Sequence, residues 1–444
     1  MSTLTLWIVI AFCIGYLCIA LESVTRVNKA AIALLMCVVC WTLLMVDPAS
    51  FYPTIAADGV VHRVAEAIEH HLGDAAGTLF FLMGAMTIVE IVDSNGGFNF
   101  VRDSLKTSSK RKLMWRMAFM TFFLSAILDN LTTSIVMIMV LRKLVQNKED
   151  RLLYAALVVI SANSGGAFSP IGDVTTIMLW IKGVITTQGV ITEIFIPSLI
   201  SMVIPAFIIS LYLKGNFDKE QNQPKTTASQ FTQAQRTAIF WLGVGGLVFV
   251  PIFKTITHLP PFMGILLVLG ILWTVTEIFH YNTDEHDTMA KRVSDIMSKI
   301  DLSTIMFFLG ILMAVAVLQE VGVLTALGKS LDDIFQGNHY LVTGIIGVLS
   351  SIVDNVPLVA GCMGMYPVEA AGDMAVDGIF WQLLAYCAGV GGSMLIIGSA
   401  AGVVVMGLEK ITFGWYMKRI SWIVFVGYIA GILYYWMEKN VLGF

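Results

Sequence analysis

Three aspartates lie inside otherwise apolar stretches, and each is flanked by small or amide-bearing residues. Asp129-Asn130-Leu131-Thr132-Thr133 interrupts the apolar stretch 113–145, and Asp354-Asn355-Val356-Pro357 interrupts 339–366. Asp173 closes the glycine-rich run SANSGGAFSPIGDVTT at 161–176. A fourth run, AGVGGSMLIIGSAAG at 388–402, has the same character but carries Ser399 where the first has Asp173. A carboxylate in a hydrocarbon setting costs about 3 kcal/mol on insertion scales. Capping a half-helix explains part of its presence, but Asn or Ser caps as well without that cost. Two matching tips that both carry the charge point to a use for it. The chemistry on offer is exchange of a small cation for a proton at Asp129, Asp173 and Asp354. Neutral oxygens for the cation come from Asn130, Thr132, Thr133, Asn163, Thr175, Thr176, Asn355, Ser393 and Ser399. The glycines and Pro170 unwind the backbone, and unwound backbone at membrane depth is tolerated only where it lines a cavity or is covered by protein.

The elements that must hold these residues follow from composition. Of 444 residues, 57% are hydrophobic and 13% charged, with a net charge of -4. A soluble domain is nearer one quarter charged, so the chain reads as an all-α polytopic membrane protein. Nucleic acid is excluded as a partner by the charge. The six cysteines all fall in apolar segments and read as small buried thiols. Apolar runs long enough to cross a ~30 Å hydrocarbon core fall at 4–21, 29–46, 77–93, 152–183, 193–214, 236–254, 262–280, 302–321, 379–409 and 415–437. The first has no basic start or cleavage site and reads as a span, not a signal peptide. Glu90, Asp93, Glu277 and Glu320, and all seven histidines, fall in loops or near span ends and read as interfacial.

The stretches 113–145 and 339–366 behave differently. The first has basic residues at both ends, Lys110 to Arg116 and Arg142 to Arg151, where a crossing segment should show an inside bias at one end only. It is expected to be a re-entrant hairpin from the cytoplasm. The second has acidic flanks and is expected to enter from the other side. Ten crossings and two opposed hairpins then leave both termini outside. On that topology 22 of the 27 Lys and Arg are cytoplasmic, and only Arg63, Lys182, Lys254, Lys329 and Lys439 face out.

The halves repeat. LSAILDN at 124–130 matches LSSIVDN at 349–355 in five of seven positions. Gly165-Gly166 answers Gly391-Gly392, Ile171-Gly172 answers Ile397-Gly398, and Phe80-Phe81-Leu82 answers Phe307-Phe308-Leu309, at offsets of 225 to 227. Each half holds an odd number of crossings, so the repeats are inverted, the pattern of a secondary transporter with a midplane site. The N-terminal repeat is 1–214, with spans in 4–93 and the interrupted part at 113–214; the C-terminal repeat is 236–444, with 236–321 and 339–437 corresponding. The polar segment 215–235 reads as a cytoplasmic linker, and 97–109 and 323–336 as amphipathic interfacial stretches.

LSAILDNLTTSIVM, GGAFSPIGDVTT, SSIVDN and GGSMLIIGSAAG together resemble the ion transporter superfamily, which includes arsenite and anion permeases, and most closely its NhaD-type sodium/proton antiporters. The resemblance runs over essentially the whole chain. It implies a scaffold (4–93 and 236–321) and an elevator-type transport region (113–214 and 339–437), a homodimer, and a bacterial inner membrane location serving pH homeostasis. The di- and tricarboxylate carriers of the superfamily have Ser-Asn-Thr at the tips and Pro-Pro-Asn after the first loop; here the tips are Asp-Asn and the loop is Gly172-Asp173-Val174-Thr175-Thr176. Half-helix N-termini attract anions, but built-in carboxylates already occupy that field and leave a cation as the attractive substrate.

The expected activity is therefore exchange of sodium or lithium, as substrate, for protons, with no cofactor. The alternative is an exporter of arsenite or another neutral oxyacid on the same fold. An enzyme using paired carboxylates is disfavoured, since the tips enter from opposite sides and no water-activating group accompanies them. No G-x-x-x-x-G-K-[ST] occurs, so ATP does not drive the process. Single cysteines at Gln223 and Asn440, on a background without the native six, test the topology. An impermeant thiol reagent applied to intact cells should label Asn440→Cys and spare Gln223→Cys; the reverse pattern refutes the inverted arrangement.

Overall fold

The computed structural model describes residues 3–20, 27–52, 59–97, 104–105, 107–213, 215–217, 232–283, 296, 298, 300–352 and 354–442. Most of the linker 215–235, most of the stretch 97–109, and Arg26, Lys291 and Arg292 lie outside them. The described chain is helical throughout, apart from two isolated β-bridges.

The first half runs α1 (Thr3–Ala20), α2 (Lys29–Val46), α3 (Val60–Ser94), α4 (Lys110–Leu128), α5 (Asn130–Leu144), α6 (Lys148–Ala167), α7 (Val174–Lys182) and α8 (Thr187–Tyr212). The second runs α9 (Gln233–Thr257), α10 (Pro261–Thr283), α11 (Leu302–Glu320), α12 (Val323–Phe335), α13 (His339–Leu349), α14 (Asn355–Met365), α15 (Ile379–Gly391), α16 (Ala400–Glu409), α17 (Phe413–Arg419) and α18 (Ser421–Met437). Among the described residues six helices are long and apolar enough to cross a membrane, and α17 with α18 makes a seventh candidate bent by 53°.

Packing divides the helices into two groups. In one, α2 lies along α11, α1 on α2, α9 on α10 and α10 on α3. Asn28 Nδ2 donates to Ser303 Oγ at 2.8 Å and Trp41 Nε1 to the Met313 carbonyl at 3.0 Å, so α2 and α11 run side by side in the same direction. In the other group α4 packs on α6, α13 on α15, and α8 on α18. Here the halves interlock: α16 packs on α5 and α6, while α7 packs on α14. Glu409, at the end of α16 and 3% exposed, accepts from Arg142 Nε and Arg151 Nε, both at 2.7 Å, which ties the break-bearing helices together at one face.

Equivalent positions of the repeat make equivalent contacts. Ser125 Oγ donates to the Ala162 carbonyl at 2.6 Å, and Ser350 Oγ to the Ala388 carbonyl at 2.8 Å. A Cβ on Gly165 would strike the Phe122 carbonyl, and one on Gly391 the Gly347 carbonyl. The shared glycines thus let each interrupted pair lie backbone-to-backbone against its broken helix.

Helix α3 begins at Val60, well before the apolar run expected at 77–93. Its first turns, VVHRVAEAIEHHLGDAAG, are helical but polar, so hydropathy misses them. This places two expected interfacial groups inside the packing: His71 Nε2 lies 2.9 Å from Glu320 Oε1, and Tyr52 Oη donates to Glu320 Oε2 at 2.5 Å. The helix expected as 415–437 is in fact broken at Ile420, where α17 ends.

Because the obstructing atoms at Gly165 and Gly391 are backbone, neither can swing aside. Gly165→Ala and Gly391→Ala should each lower the thermal midpoint of the purified protein, by an overpacking cost of about 1–3 kcal/mol. Gly245→Ala, with open space around its Cβ position, should leave the midpoint unchanged or slightly raised, since Ala favours helix over Gly.

Candidate functional site

Four helix N-termini face the middle of the second packing group, and each is capped by a side chain at a chain break. Asp129 accepts from Thr132 N and Thr132 Oγ1, both at 2.8 Å. Asp173 Oδ1 accepts from Thr175 N at 3.2 Å, Asp354 Oδ1 from Val356 N at 3.2 Å, and Ser399 Oγ from Gly402 N at 3.1 Å. The capping role weighed for the tips is therefore present at all four breaks. It comes with strain at one of them: Asp129 has φ 81 and ψ 159, a region that L-residues rarely enter.

Asp173 is the centre. It is 1% exposed, and the amides of both interrupted segments turn to it. Asn130 Nδ2 donates to Asp173 Oδ2 at 2.9 Å, and Asn355 Nδ2 lies 3.4 Å from both of its oxygens. The network continues through Asn163, which accepts from Asn130 Nδ2 at 3.1 Å and donates to Ser393 Oγ at 2.8 Å and Ser399 Oγ at 2.9 Å. Thr176 Oγ1 donates to the Asp173 carbonyl at 2.8 Å. One connected set therefore joins Asn130, Asn163, Asp173, Thr175, Thr176, Asn355, Ser393 and Ser399. These residues come from all four breaks and from separate halves of the chain.

The remaining candidates lie beside it. Asp129 and Thr132 bond to each other. The hydroxyls of Thr133 and Thr175 are buried without a hydrogen-bond partner. Buried polar atoms are nearly always satisfied, so two such oxygens on the turns that Asp129 and Asp173 cap suit a ligand with positive charge. Asp354 turns the other way: its Oδ2 lies 3.3 Å from Lys29 Nζ, from the first turn of α2. The three carboxylates therefore do not meet at one point. Among the described residues no group of three or more His, Cys, Asp or Glu side chains is arranged to share one ion.

A cavity of about 510 Å³ opens between the two packing groups, walled by His71, Asp74 and Thr78 of α3 on one side and by Met178 of α7 and Met363 of α14 on the other. At its rim Lys182 Nζ pairs with Asp74 at 3.3 Å.

Comparison with known proteins agrees with this architecture. A family profile described as "Citrate transporter" matches residues 16–383. Sodium/proton antiporter 1 of Arabidopsis thaliana is 46% identical over 430 residues, 97% of this chain and 72% of the relative. Sodium/proton antiporter 2 of the same plant is 42% identical, covering 97% of this chain and 98% of the relative. The Na(+)/H(+) antiporter NhaD of Alkalimonas amylolytica is 31% identical over 84% of this chain and 80% of the relative. The chain belongs to the NhaD-type sodium/proton antiporter family.

Within this antiporter-family chain, sequence reasoning missed Lys29 and the ties that hold the loops. Ser169 Oγ donates to the Ala126 carbonyl at 2.5 Å, and Tyr416 Oη to the Ser393 carbonyl at 2.8 Å. Ser169 lies within the glycine-rich run 161–176, whereas Tyr416 and Lys29 carry no local signal. Asn163 is the hub of the network, so Asn163→Ala should strand the buried hydroxyl of Ser393 and a donor of Asn130. Each stranded group costs about 1–3 kcal/mol. The thermal midpoint should fall clearly further than for Thr192→Ala, a change at an exposed helical site.

Proposed function

We propose that the chain exchanges sodium, or lithium, for protons across the membrane, with cation and proton competing for the aspartates at the chain breaks. The single observation that carries this reading is Asp173. It is a buried carboxylate whose side-chain partners are all neutral and come from both halves, with unpartnered hydroxyls alongside. A carboxamide can turn to present its carbonyl oxygen in place of its NH₂. Asn130 and Asn355 can thus donate to Asp173 in the ion-free protein and ligate a cation that arrives there. Asp129, one residue from Asn130, supplies a second charge, and Thr133 and Thr175 supply neutral oxygens. The relatives named as sodium/proton antiporters support the same substrates.

Alternating access fits the two packing groups. We read α1–α3 and α9–α11 as a fixed scaffold that dimerises. The segments α4–α5 and α13–α14 are then opposed re-entrant hairpins, moving with α6–α8 and α15–α18. The cavity beside α3, α7 and α14 is the path from one side, and Asp74 and Lys182 stand at its mouth. In the inverted topology that side is the outside.

The aspartates provide the test. Asn caps about as well as Asp, so if the side chains only cap, Asp129→Asn, Asp173→Asn and Asp354→Asn should all transport normally. If they exchange ions, each change should remove at least ~90% of sodium-driven proton release in everted vesicles, while size-exclusion profiles remain those of the folded protein. In the unaltered protein, protons hold the carboxylates as pH falls, so half-maximal sodium should rise toward acid pH. Near-normal exchange in all three variants removes the carboxylate mechanism. Proton release on arsenite addition, with none on sodium, replaces it with oxyacid export.

A further inference from the structure

The two tips are built from the same motif but treated differently. Asp129 bonds only within its own turn among the described residues. Asp354 faces the other packing group, where Lys29 Nζ lies 3.3 Å away, and the pair is one-quarter to one-sixth exposed. Lys29 is held in place: its Nζ lies 4.2 Å from the Phe307 ring centroid of α11, and the Asn28–Ser303 hydrogen bond fixes the turn that carries it. The buried Tyr16 hydroxyl of α1 also lies beside Asp354. The neighbouring residue Asn355 points into the Asp173 cluster. Asp354 is therefore one residue from the ion site with its charge turned out of it.

We propose that Lys29 is a tethered competitor for the transported cation: its ammonium neutralises Asp354 in the ion-free protein and must be displaced before that carboxylate joins the site. The inference rests on the antiport reading. It adds a positioning residue from the scaffold, and with it a coupling between ion occupancy and the contact of the two packing groups. A sodium ion arriving at Asp173 draws Asp354 inward, the Lys29 contact breaks, and the tip is released from α2 and α11. When the ion leaves, the ammonium returns and the contact closes. No net charge remains unpaired at Asp354 in either state, which suits a carboxylate at this depth.

Removing a competitor strengthens binding. Lys29→Gln keeps the length and a hydrogen-bond donor but removes the charge. Half-maximal sodium for proton release, at fixed pH, should fall about fivefold, the order expected for a partly exposed ion pair. Lys29→Arg should keep the original value. Sodium-dependent thermal stabilisation of the purified full-length protein should shift by the same factor in Lys29→Gln, a readout independent of turnover. In Asp354→Asn the Lys29→Gln change should have no further effect on that stabilisation, because the pair is already gone. A purely structural Lys29 would lower the maximal rate and the melting point with half-maximal sodium unchanged, and that outcome overturns the proposal. So does weaker sodium binding in Lys29→Gln, or an equal effect with and without Asp354. Absence of sodium-driven proton release in the unaltered protein would instead sink the antiport reading itself.

Discussion

A carboxylate at 1% exposure, in the middle of packed apolar helices, sets the terms for everything around it. Asp173 can persist there only if donors are delivered to it, because an ionised group removed from water without partners is prohibitively costly. An intact helix cannot deliver them: its backbone donors are consumed internally. The chain meets the demand by breaking helices at four places and aiming the new N-termini inward, so that N–H groups, carboxamides and hydroxyls gather around the carboxylate. The caps on those ends and the glycine contacts beneath them follow from that need. The Arg142–Glu409–Arg151 clasp at one face braces the pieces that a break leaves loose.

The repeat explains how this can be assembled twice from one plan, and its departures from symmetry carry the chemistry. Ser125 and Ser350 bond to equivalent carbonyls, and Gly165 and Gly391 permit equivalent approaches. That framework is indifferent to which ion is bound. The loops are not: Asp173 has Ser399 as its counterpart, so the two unwound loops contribute one carboxylate between them. The tips diverge as well, Asp129 folded on its own turn and Asp354 held by a lysine. The symmetric frame thus carries an asymmetric charge pattern, with one buried carboxylate, Asp173, at its centre.

The parts legible in the sequence were those with local signatures. Asp-Asn within an apolar run, Gly-Gly before Pro170, and the recurrence of LSxIxDN locate the four breaks around Asp173, and the helices start and stop there; the break at Ile420 has no such mark. Eight of the twelve candidate residues join one hydrogen-bonded network. What stayed hidden depends on pairing across long separations. Lys29 and Asp354 are 325 residues apart, and a lysine at the start of a span looks like an ordinary interfacial charge. His71 and Glu320 read as surface groups because the first turns of α3 are polar, yet the two side chains are half-buried against each other. Hydropathy reports the solvent a segment could tolerate, not the neighbours it acquires.

The match to a citrate transporter profile and the resemblance to antiporters are reconciled by charge. A tricarboxylate would need cationic groups or bare helix N-termini to receive it. In this chain the N-termini of α5, α7 and α14 are already occupied by Asp129, Asp173 and Asp354, and the groups bonded to Asp173 are neutral. Lys29, near one tip, is paired with Asp354. An arriving anion would meet carboxylates with nothing left to balance them, whereas a bare cation meets carboxylates, turnable amides and unpartnered hydroxyls. The proposed exchange follows from that pattern: with the anion placed permanently in the protein, a cation is the species the site is suited to receive.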